Sequence, residues 1–192
     1  MINSKKSIFE KELHIDPKYQ HLDKYVQMMY KGFWIPSKYE KLIREVDAPH
    51  FFNQMGEVDQ EAIKRCILAI ALVEDKVKLY WSTLPLDIPQ TVVGDVGGVF
   101  AQSEVTHRRS YHALAEALKV DTDNLEQHDA LRDRIKYLNK HSEVDPKVIG
   151  KKRILKKLVL FTSMVERASL FTQFYILMSY EKASRGLKTI SS

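Results

Sequence analysis

The chain has 192 residues, of which 44% are hydrophobic and 29% are charged, and its formal net charge is +5. This length favours one domain with a core that needs no covalent staple. Seven glycines and six prolines are too few for the many turns of a β-sandwich or barrel. Cys66 is the single cysteine, which excludes an internal disulfide, a cysteine-rich zinc module and a CxxC redox motif. The composition indicates a soluble α-helical protein of a reducing compartment, the cytoplasm.

The N-terminal and basic segments argue against export, membrane insertion and nucleic-acid binding. Residues 1–12 mix lysine and glutamate and contain no apolar core, so no signal peptide is predicted. Residues 158–180 are long enough to span a membrane, but Glu166 and Arg167 lie among them, which favours a buried helix. A basic run lacks interleaved aromatic residues and is interpreted as the solvated face of a helix. Its members are Lys151, Lys152, Arg153, Lys156 and Lys157.

Glycine and proline divide the chain into long helical stretches. Residues 57–84, 99–145 and 151–185 lack both residue types, and each stretch can hold one or more long helices. Residues 85–98 contain two prolines and three glycines, which predicts a connector. Asp145-Pro146 and Gly150 predict a second break, and the middle stretch is long enough for two helices. We therefore expect an all-α bundle of at least four helices.

Each of these stretches carries an apolar stripe at helical spacing, and each stripe contains one glutamate. Glu74, Glu104 and Glu166 occupy these positions in the first, second and third stretch. Asp75 is expected on the exposed face, paired with Lys78, because adjacent helix positions point about 100° apart. The other members of the stripes are Ile63, Ile67, Ile70, Val77 and Trp81; Phe100, His107, Tyr111, Leu114 and Leu118; and Leu155, Val159, Thr162, Leu170, Phe174 and Leu177.

A carboxylate in the apolar face of three separate helices predicts a metal centre. An unpaired buried carboxylate costs several kcal/mol or changes its pKa, and a core ion pair would explain one such residue. Three of them are explained together by a bound cation. Glu104 and His107 form a Glu-x-x-His motif, whose side chains share one helix face. The motif is short enough to arise by chance, but in helical bundles it holds metal pairs together with single glutamates on facing helices.

These segments resemble the small, radical-generating subunit of class I ribonucleotide reductase. The resemblance rests on FWIP at 33–36, VEDKVK at 73–78, SEVTHRRSY at 103–111 and VERASLF at 165–171. Their order and separations agree from about residue 32 to the C-terminus. The resemblance implies a ferritin-like helical bundle over residues 1–192, and an enzyme component that supports reduction of ribonucleotides to deoxyribonucleotides.

The resemblance also implies roles for individual residues. Tyr111 matches the radical tyrosine, and Trp34 matches the tryptophan that transfers the radical to the catalytic subunit, although packing as a core anchor would equally explain Trp34. Phe174 and Leu170 are expected to line an apolar pocket around the radical. The expected cofactor is a dinuclear iron or manganese/iron centre, whose ligands in this chain would be Glu74, Glu104, His107 and Glu166.

The chain departs from the family at its C-terminus. The family's second Glu-x-x-His is absent, and Ser192 follows Glu166 by less than the family's spacing to that motif. We therefore expect an incomplete bundle that lacks the last ligand-bearing helix and the docking tail, with residues 186–192 forming a loop. A split subunit completed by a second chain, or an interrupted one, is favoured over a truncated product, because the break falls between helices.

The expected partners are the catalytic subunit, a second copy of the chain and the fragment that supplies the missing Glu and His. Two other functions remain open at this stage. Another ferritin-like dimetal oxidase would use the same ligands, although Tyr111 and Trp34 argue against it. A non-catalytic helical fragment, completed by a second chain, would explain the missing ligands.

Overall fold

The computed structural model describes residues 7–11, 13–122, 128–142, 150–183 and 185–189, and these residues form helices and loops without a strand. A 3₁₀ turn precedes the first α-helix, and π-helical turns join α2 to α3 and α7 to α8. The prediction of an all-α bundle is confirmed. The α-helices are α1 (Asp23–Lys31), α2 (Ser37–Leu42), α3 (Ala48–Gln54), α4 (Glu57–Asp87), α5 (Thr91–Ala117), α6 (Asp129–Ser142), α7 (Lys151–Val159) and α8 (Phe171–Lys182).

Helices α4 and α5 form the centre of the bundle, and α8 packs against α4. The apolar stripe predicted on α4 is confirmed, because Ile63, Ile67, Ile70 and Val77 are fully buried. Leu118, the residue directly after α5, is fully buried and belongs to the same core. The two long helices therefore place their middle turns, where the predicted glutamates lie, inside the molecule.

The predicted connector at residues 85–98 is wrong, because only Ile88–Gln90 separate α4 from α5. Pro85 lies in the last turn of α4, where its missing N–H removes one hydrogen bond of the helix, the one to the Trp81 carbonyl. Gly97 lies inside α5 against α4, and a Cβ there would come within 2.7 Å of the Trp81 carbonyl oxygen. Pro85 has no N–H to donate to that same carbonyl. The glycine therefore serves close helix packing rather than a turn.

The break predicted between α5 and α7 is confirmed where the structure describes it. The middle stretch holds the end of α5 and all of α6. Gly150 precedes α7 with a φ of 135°, a backbone conformation that favours glycine. Asp145, Pro146 and Glu12 lie outside the described residues. No described helix combines the length and the apolar character that crossing a bilayer requires.

The stripe predicted on the third stretch is only partly correct. Leu170 and Leu177 are buried, but Leu155 and Val159 are 58% and 47% exposed. The π-helical segment Leu160–Leu170 lies between the two halves, and its wider turns change which positions face the core. The buried positions upstream of Leu170 are Lys157, Phe161 and Val165.

The basic run on α7 divides between surface and interior. Lys151, Lys152 and Lys156 are exposed, as the solvated-face interpretation predicts. That interpretation is wrong for Arg153 and Lys157, whose side chains are only 22% and 10% exposed and contact Asp87 at the end of α4. Their long side chains reach across the helix interface, because a carboxylate there can pair with both of them.

The close approach of α4 and α5 predicts opposite effects for two adjacent glycines. Gly97→Ala is expected to lower the free energy of unfolding by about 1–3 kcal/mol, because its Cβ would collide with the backbone of α4. Gly98→Ala is the matched control, because a Cβ there meets no atom within 4 Å. It should leave stability unchanged or raise it by up to about 1 kcal/mol. Urea denaturation measures both, and equal effects would contradict the packing described here.

Candidate metal centre

The central helices bring three of the four predicted ligands together. Glu74 projects from the middle of α4, and Glu104 and His107 project from one face of α5. One ligand atom from each of the three residues lies within 4.8 Å of the other two. Glu74 is fully buried and Glu104 is 4% exposed. The burial of Glu74 agrees with its predicted place in the stripe.

The histidine lies between the two carboxylates with its ring oriented by a hydroxyl. His107 Nδ1 lies 3.3 Å from Glu104 Oε2 and 3.9 Å from Glu74 Oε2. His107 Nε2 lies 3.4 Å from the hydroxyl of Ser103, one turn earlier. Without a metal ion, a proton on Nδ1 can be donated to Glu104 Oε2; with the ring proton on Nε2 and directed at Ser103, Nδ1 would be available to a metal ion.

The neighbouring acidic residue takes no part in this cluster. Asp75 is exposed, and its carboxylate accepts a 3.0 Å hydrogen bond from the ammonium of Lys78, as predicted. Arg108 approaches the same carboxylate from α5 at 3.7 Å. The one-residue step along α4 therefore separates a solvated ion pair from a buried carboxylate.

Burial makes the ionised form of Glu74 unfavourable, and a cation would stabilise that form. Both of its carboxylate oxygens are buried, and neither has a hydrogen-bond partner in the described parts of the chain. Burial, followed by the contact with Glu104 and the nearby negative charges, raises the pKa of Glu74 to about 11. Burial also opposes ionisation of Glu104, but its contacts with His107 and Glu74 outweigh this and lower its pKa. Without a metal ion Glu74 is therefore neutral beside an ionised Glu104, whereas a bound cation would favour the ionised form of both carboxylates. The donor set fits a metal centre.

The fourth predicted ligand, Glu166, lies beside this group but outside it. Its Oε1 accepts a 3.2 Å hydrogen bond from the indole nitrogen of Trp81. Burial and the charge of Glu104 raise the pKa of Glu166, which places it within electrostatic reach of the cluster. Glu166 lies in the π-helical segment between α7 and α8. The structure thus brings together Glu74, Glu104 and His107, whereas Glu166 accepts a hydrogen bond from the Trp81 indole.

Tyr111 follows the cluster along α5 in an apolar environment. Its ring centroid lies 6.2 Å from that of Phe174 on α8. Burial, together with the charges of Glu74 and Glu104, raises the pKa of Tyr111 well above its ordinary value. Phe174 lines the cleft beside Tyr111, as predicted. Leu170 is buried, but it is not among the residues that line this cleft.

Trp34 lies against the other side of the histidine. Its ring centroid lies 6.2 Å from that of His107, with 32° between the ring planes. Tyr39 packs edge-on against the same indole at 5.4 Å. Trp34, His107 and Tyr111 all line one cleft of about 230 Å³. The loop between α1 and α2 therefore places an aromatic ring beside a candidate ligand.

Two residues of the site lie outside the set that the sequence predicts for it. Helical periodicity predicts Trp81 only as an apolar member of the α4 stripe, but its indole N–H donates to Glu166. Its position seven residues after Glu74 was the available signal, because a buried indole usually finds an acceptor. Ser103, one turn before His107, could have been found as a partner for the second ring nitrogen.

Comparison with known proteins agrees with this geometry. The family model for the small chain of ribonucleotide reductase matches residues 14–191. A search of curated protein sequences found no significant match. The family is ferritin-like and has a dimetal centre, in accord with the helical bundle and with the Glu–Glu–His group at its middle. The chain belongs to the ribonucleotide reductase small chain family.

Proposed function

We propose that this chain generates the radical that a separate catalytic subunit uses to reduce ribonucleotides to deoxyribonucleotides. One observation carries the proposal. Glu74, a buried carboxylate without a hydrogen-bond partner among the described residues, faces Glu104 and His107, and the half-buried phenol of Tyr111 lies within reach of their charges. Membership of the family supports a ribonucleotide reductase component, and the radical chemistry is the finer part of the proposal.

The proposed ligands are Glu74, Glu104, His107 and Glu166. Carboxylate oxygen and imidazole nitrogen suit iron and manganese, so either a di-iron or a manganese/iron centre is consistent with this donor set. When bound, the metal pair would supply the oxidising power of O2 for removing one electron from a nearby phenol. The Glu166 carboxylate would bind a metal ion either in place of its hydrogen bond from Trp81 or in addition to it.

The role proposed for Tyr111 follows from its surroundings. Because its pKa is raised, the phenol keeps its proton at neutral pH. Its oxidation therefore releases one electron and one proton and leaves a neutral phenoxyl radical. The raised pKa of Glu74 and the lowered pKa of Glu104 leave Glu104 as the ionised carboxylate of the cluster. Phe174 lies beside the phenol ring and forms part of its apolar surroundings.

Trp34 is proposed to transfer the radical out of the bundle. Its indole lies against the His107 ring, and it belongs to a loop whose neighbours Phe33 and Ile35 are 60% and 54% exposed. The indole thus joins the ligand cluster to a surface that a catalytic subunit could cover. Packing against Tyr39 keeps the ring in this position.

The described residues supply fewer ligands than the dimetal sites of such bundles, which use four carboxylates and two histidines. We propose that the remaining Glu and His come from outside these 192 residues, and that residues 1–192 form most of one ferritin-like domain. The complete assembly would be a cytoplasmic homodimer that binds the catalytic subunit. The lone chain should accordingly bind metal more weakly than the chain together with the completing segment.

Replacing the unpartnered carboxylate should stabilise the metal-free chain and impair metal binding. Glu74→Gln substitutes a neutral amide that can donate to Glu104, so the free energy of unfolding should rise by about 1–3 kcal/mol near pH 7. Because the folded-state pKa of Glu74 is raised, its carboxyl destabilises the fold increasingly as pH rises above its ordinary value. The gain should therefore be larger at about pH 8 than at about pH 5.

The matched control for this variant is Asp75→Asn, one residue further along α4. Asp75 is exposed, so this change should alter stability by less than about 0.5 kcal/mol and leave metal affinity intact. Urea denaturation and equilibrium metal titration measure the two properties. A destabilised Glu74→Gln chain that still binds metal normally would contradict the proposed role of Glu74.

A tyrosyl radical should form at Tyr111 and nowhere else. The chain is combined with the segment that completes its ligand set, and Fe(II) and O2 are added. Electron paramagnetic resonance should then show a tyrosyl signal that Tyr111→Phe abolishes. Tyr175→Phe, on the 66% exposed Tyr175 of α8, should keep the signal. A signal that persists in Tyr111→Phe refutes the assignment, whereas O2 consumption without any radical would favour a different dimetal oxidase.

Trp34→Phe should separate radical formation from radical use. The phenyl ring preserves packing against Tyr39, so the radical at Tyr111 should form to its normal yield. Ribonucleotide reduction with the catalytic subunit should fall at least about 100-fold. This factor corresponds to about 2.7 kcal/mol in activation free energy. Normal turnover by this variant would leave Trp34 only as a packing residue.

A further inference from the structure

A second polar cleft lies outside the metal cluster, between the C-terminal half of α4 and α7. Its volume is about 390 Å³. Apolar side chains form part of its wall, and Phe161 is one of them. The polar side chains that line it are Lys76, Tyr80, Thr83, Asp87, Arg153 and Lys157. None of them is a proposed metal ligand or part of the proposed radical path.

The cleft contains more positive than negative charge. Asp87 is its single carboxylate, and it pairs with Arg153 at 3.2 Å and with Lys157 at 3.8 Å. Lys76 makes no ion pair with any residue that the structure describes. Three cations therefore share one carboxylate, and two of them are largely buried. Buried cations are costly unless they are paired, so the cleft favours a second anion.

Two buried donors in the same cleft lack an acceptor among the residues that the structure describes. These donors are the hydroxyl of Tyr80 and the Nε of Arg153. Tyr80 is 3% exposed, and its ring is stacked on Phe161 with centroids 4.5 Å apart and 7° between the planes. Burial, reinforced by the charge of Asp87, raises the pKa of this phenol, so its hydroxyl stays a donor. An acceptor-rich ligand would satisfy both groups.

We propose that this cleft binds a phosphate group, either as inorganic phosphate or as a phosphate monoester. A dianion matches the excess of two positive charges, and its oxygens can accept from the Arg153 guanidinium, the Lys157 and Lys76 ammonium groups and the Tyr80 hydroxyl. The cleft volume exceeds that of a phosphate ion, and the apolar wall at Phe161 leaves space for the organic part of an ester.

The test is a titration of inorganic phosphate, and separately of glycerol phosphate, into the full chain at constant ionic strength after treatment with a chelator. Isothermal calorimetry measures the dissociation constant, and phosphorus NMR confirms that phosphate contacts the protein. Lys157→Met should weaken binding at least tenfold. Lys156→Met is the matched control on the exposed face of the same helix, and it should change the constant less than twofold.

Tyr80→Phe gives an independent measurement that does not alter charge. The variant keeps the ring stacked on Phe161 and removes only the unpartnered hydroxyl, so stability in phosphate-free buffer should be unchanged or higher. Phosphate affinity should fall about fivefold, which corresponds to about 1 kcal/mol for one hydrogen bond. If Tyr80 were only structural, Tyr80→Phe would not weaken phosphate binding while leaving stability in phosphate-free buffer unchanged or higher, and its effect would not depend on phosphate.

The two titrants distinguish the source of the phosphate group. Binding of either titrant or of both supports the proposal and identifies which form the cleft accepts. If neither inorganic phosphate nor glycerol phosphate binds, the proposal is overturned. Equal weakening by Lys156→Met and Lys157→Met also overturns it, because that result would indicate attraction to the basic surface of α7 as a whole rather than to the cleft.

Discussion

The structure depends on a carboxylate that is buried without a partner. Glu74 lies in the fully apolar stripe of α4, and burial and the neighbouring carboxylates make its ionised form unfavourable. An ordinary core would replace such a residue with leucine at a gain in stability. Its presence opposite Glu104 and His107 makes sense when a cation occupies the space between α4 and α5. On the proposed function, the bundle gives up stability in its metal-free form for a group of side chains that would bind a metal ion.

That ligand set requires the two central helices to pack closely, and the residues at their interface provide for this. Gly97 removes the side chain that would meet the Trp81 carbonyl, and Pro85 leaves the same carbonyl without its helical donor. The indole of Trp81 meanwhile holds Glu166. A proline and a glycine that are typical of a turn therefore allow the helix contact on which the distance between Glu74 and Glu104 depends.

Helical periodicity predicts which residues are buried at the centre of the site, but it does not predict this at the edge of the site. Burial of Glu74 and exposure of Asp75 followed from a regular 3.6-residue period, because α4 is a continuous α-helix. The same reasoning failed for Leu155 and Val159, since π-helical turns shift the face of the chain before α8. It also could not place Glu166, whose position depends on the indole of a different helix. Tertiary contacts of this kind leave no local pattern in a single sequence.

One turn of α4 serves two polar environments. Consecutive helix positions point about 100° apart, so Trp81 faces the ligand cluster while Tyr80 faces the basic cleft at α7. The two rings are in edge contact with centroids 5.1 Å apart, but their polar atoms belong to separate groups of residues. Trp81 donates to Glu166, whereas the hydroxyl of Tyr80 has no acceptor. Because the donor sets do not overlap, the loss of the Tyr80 hydroxyl leaves the bond to Glu166 intact. The chemistry of the cleft can therefore be separated experimentally from that of the metal centre.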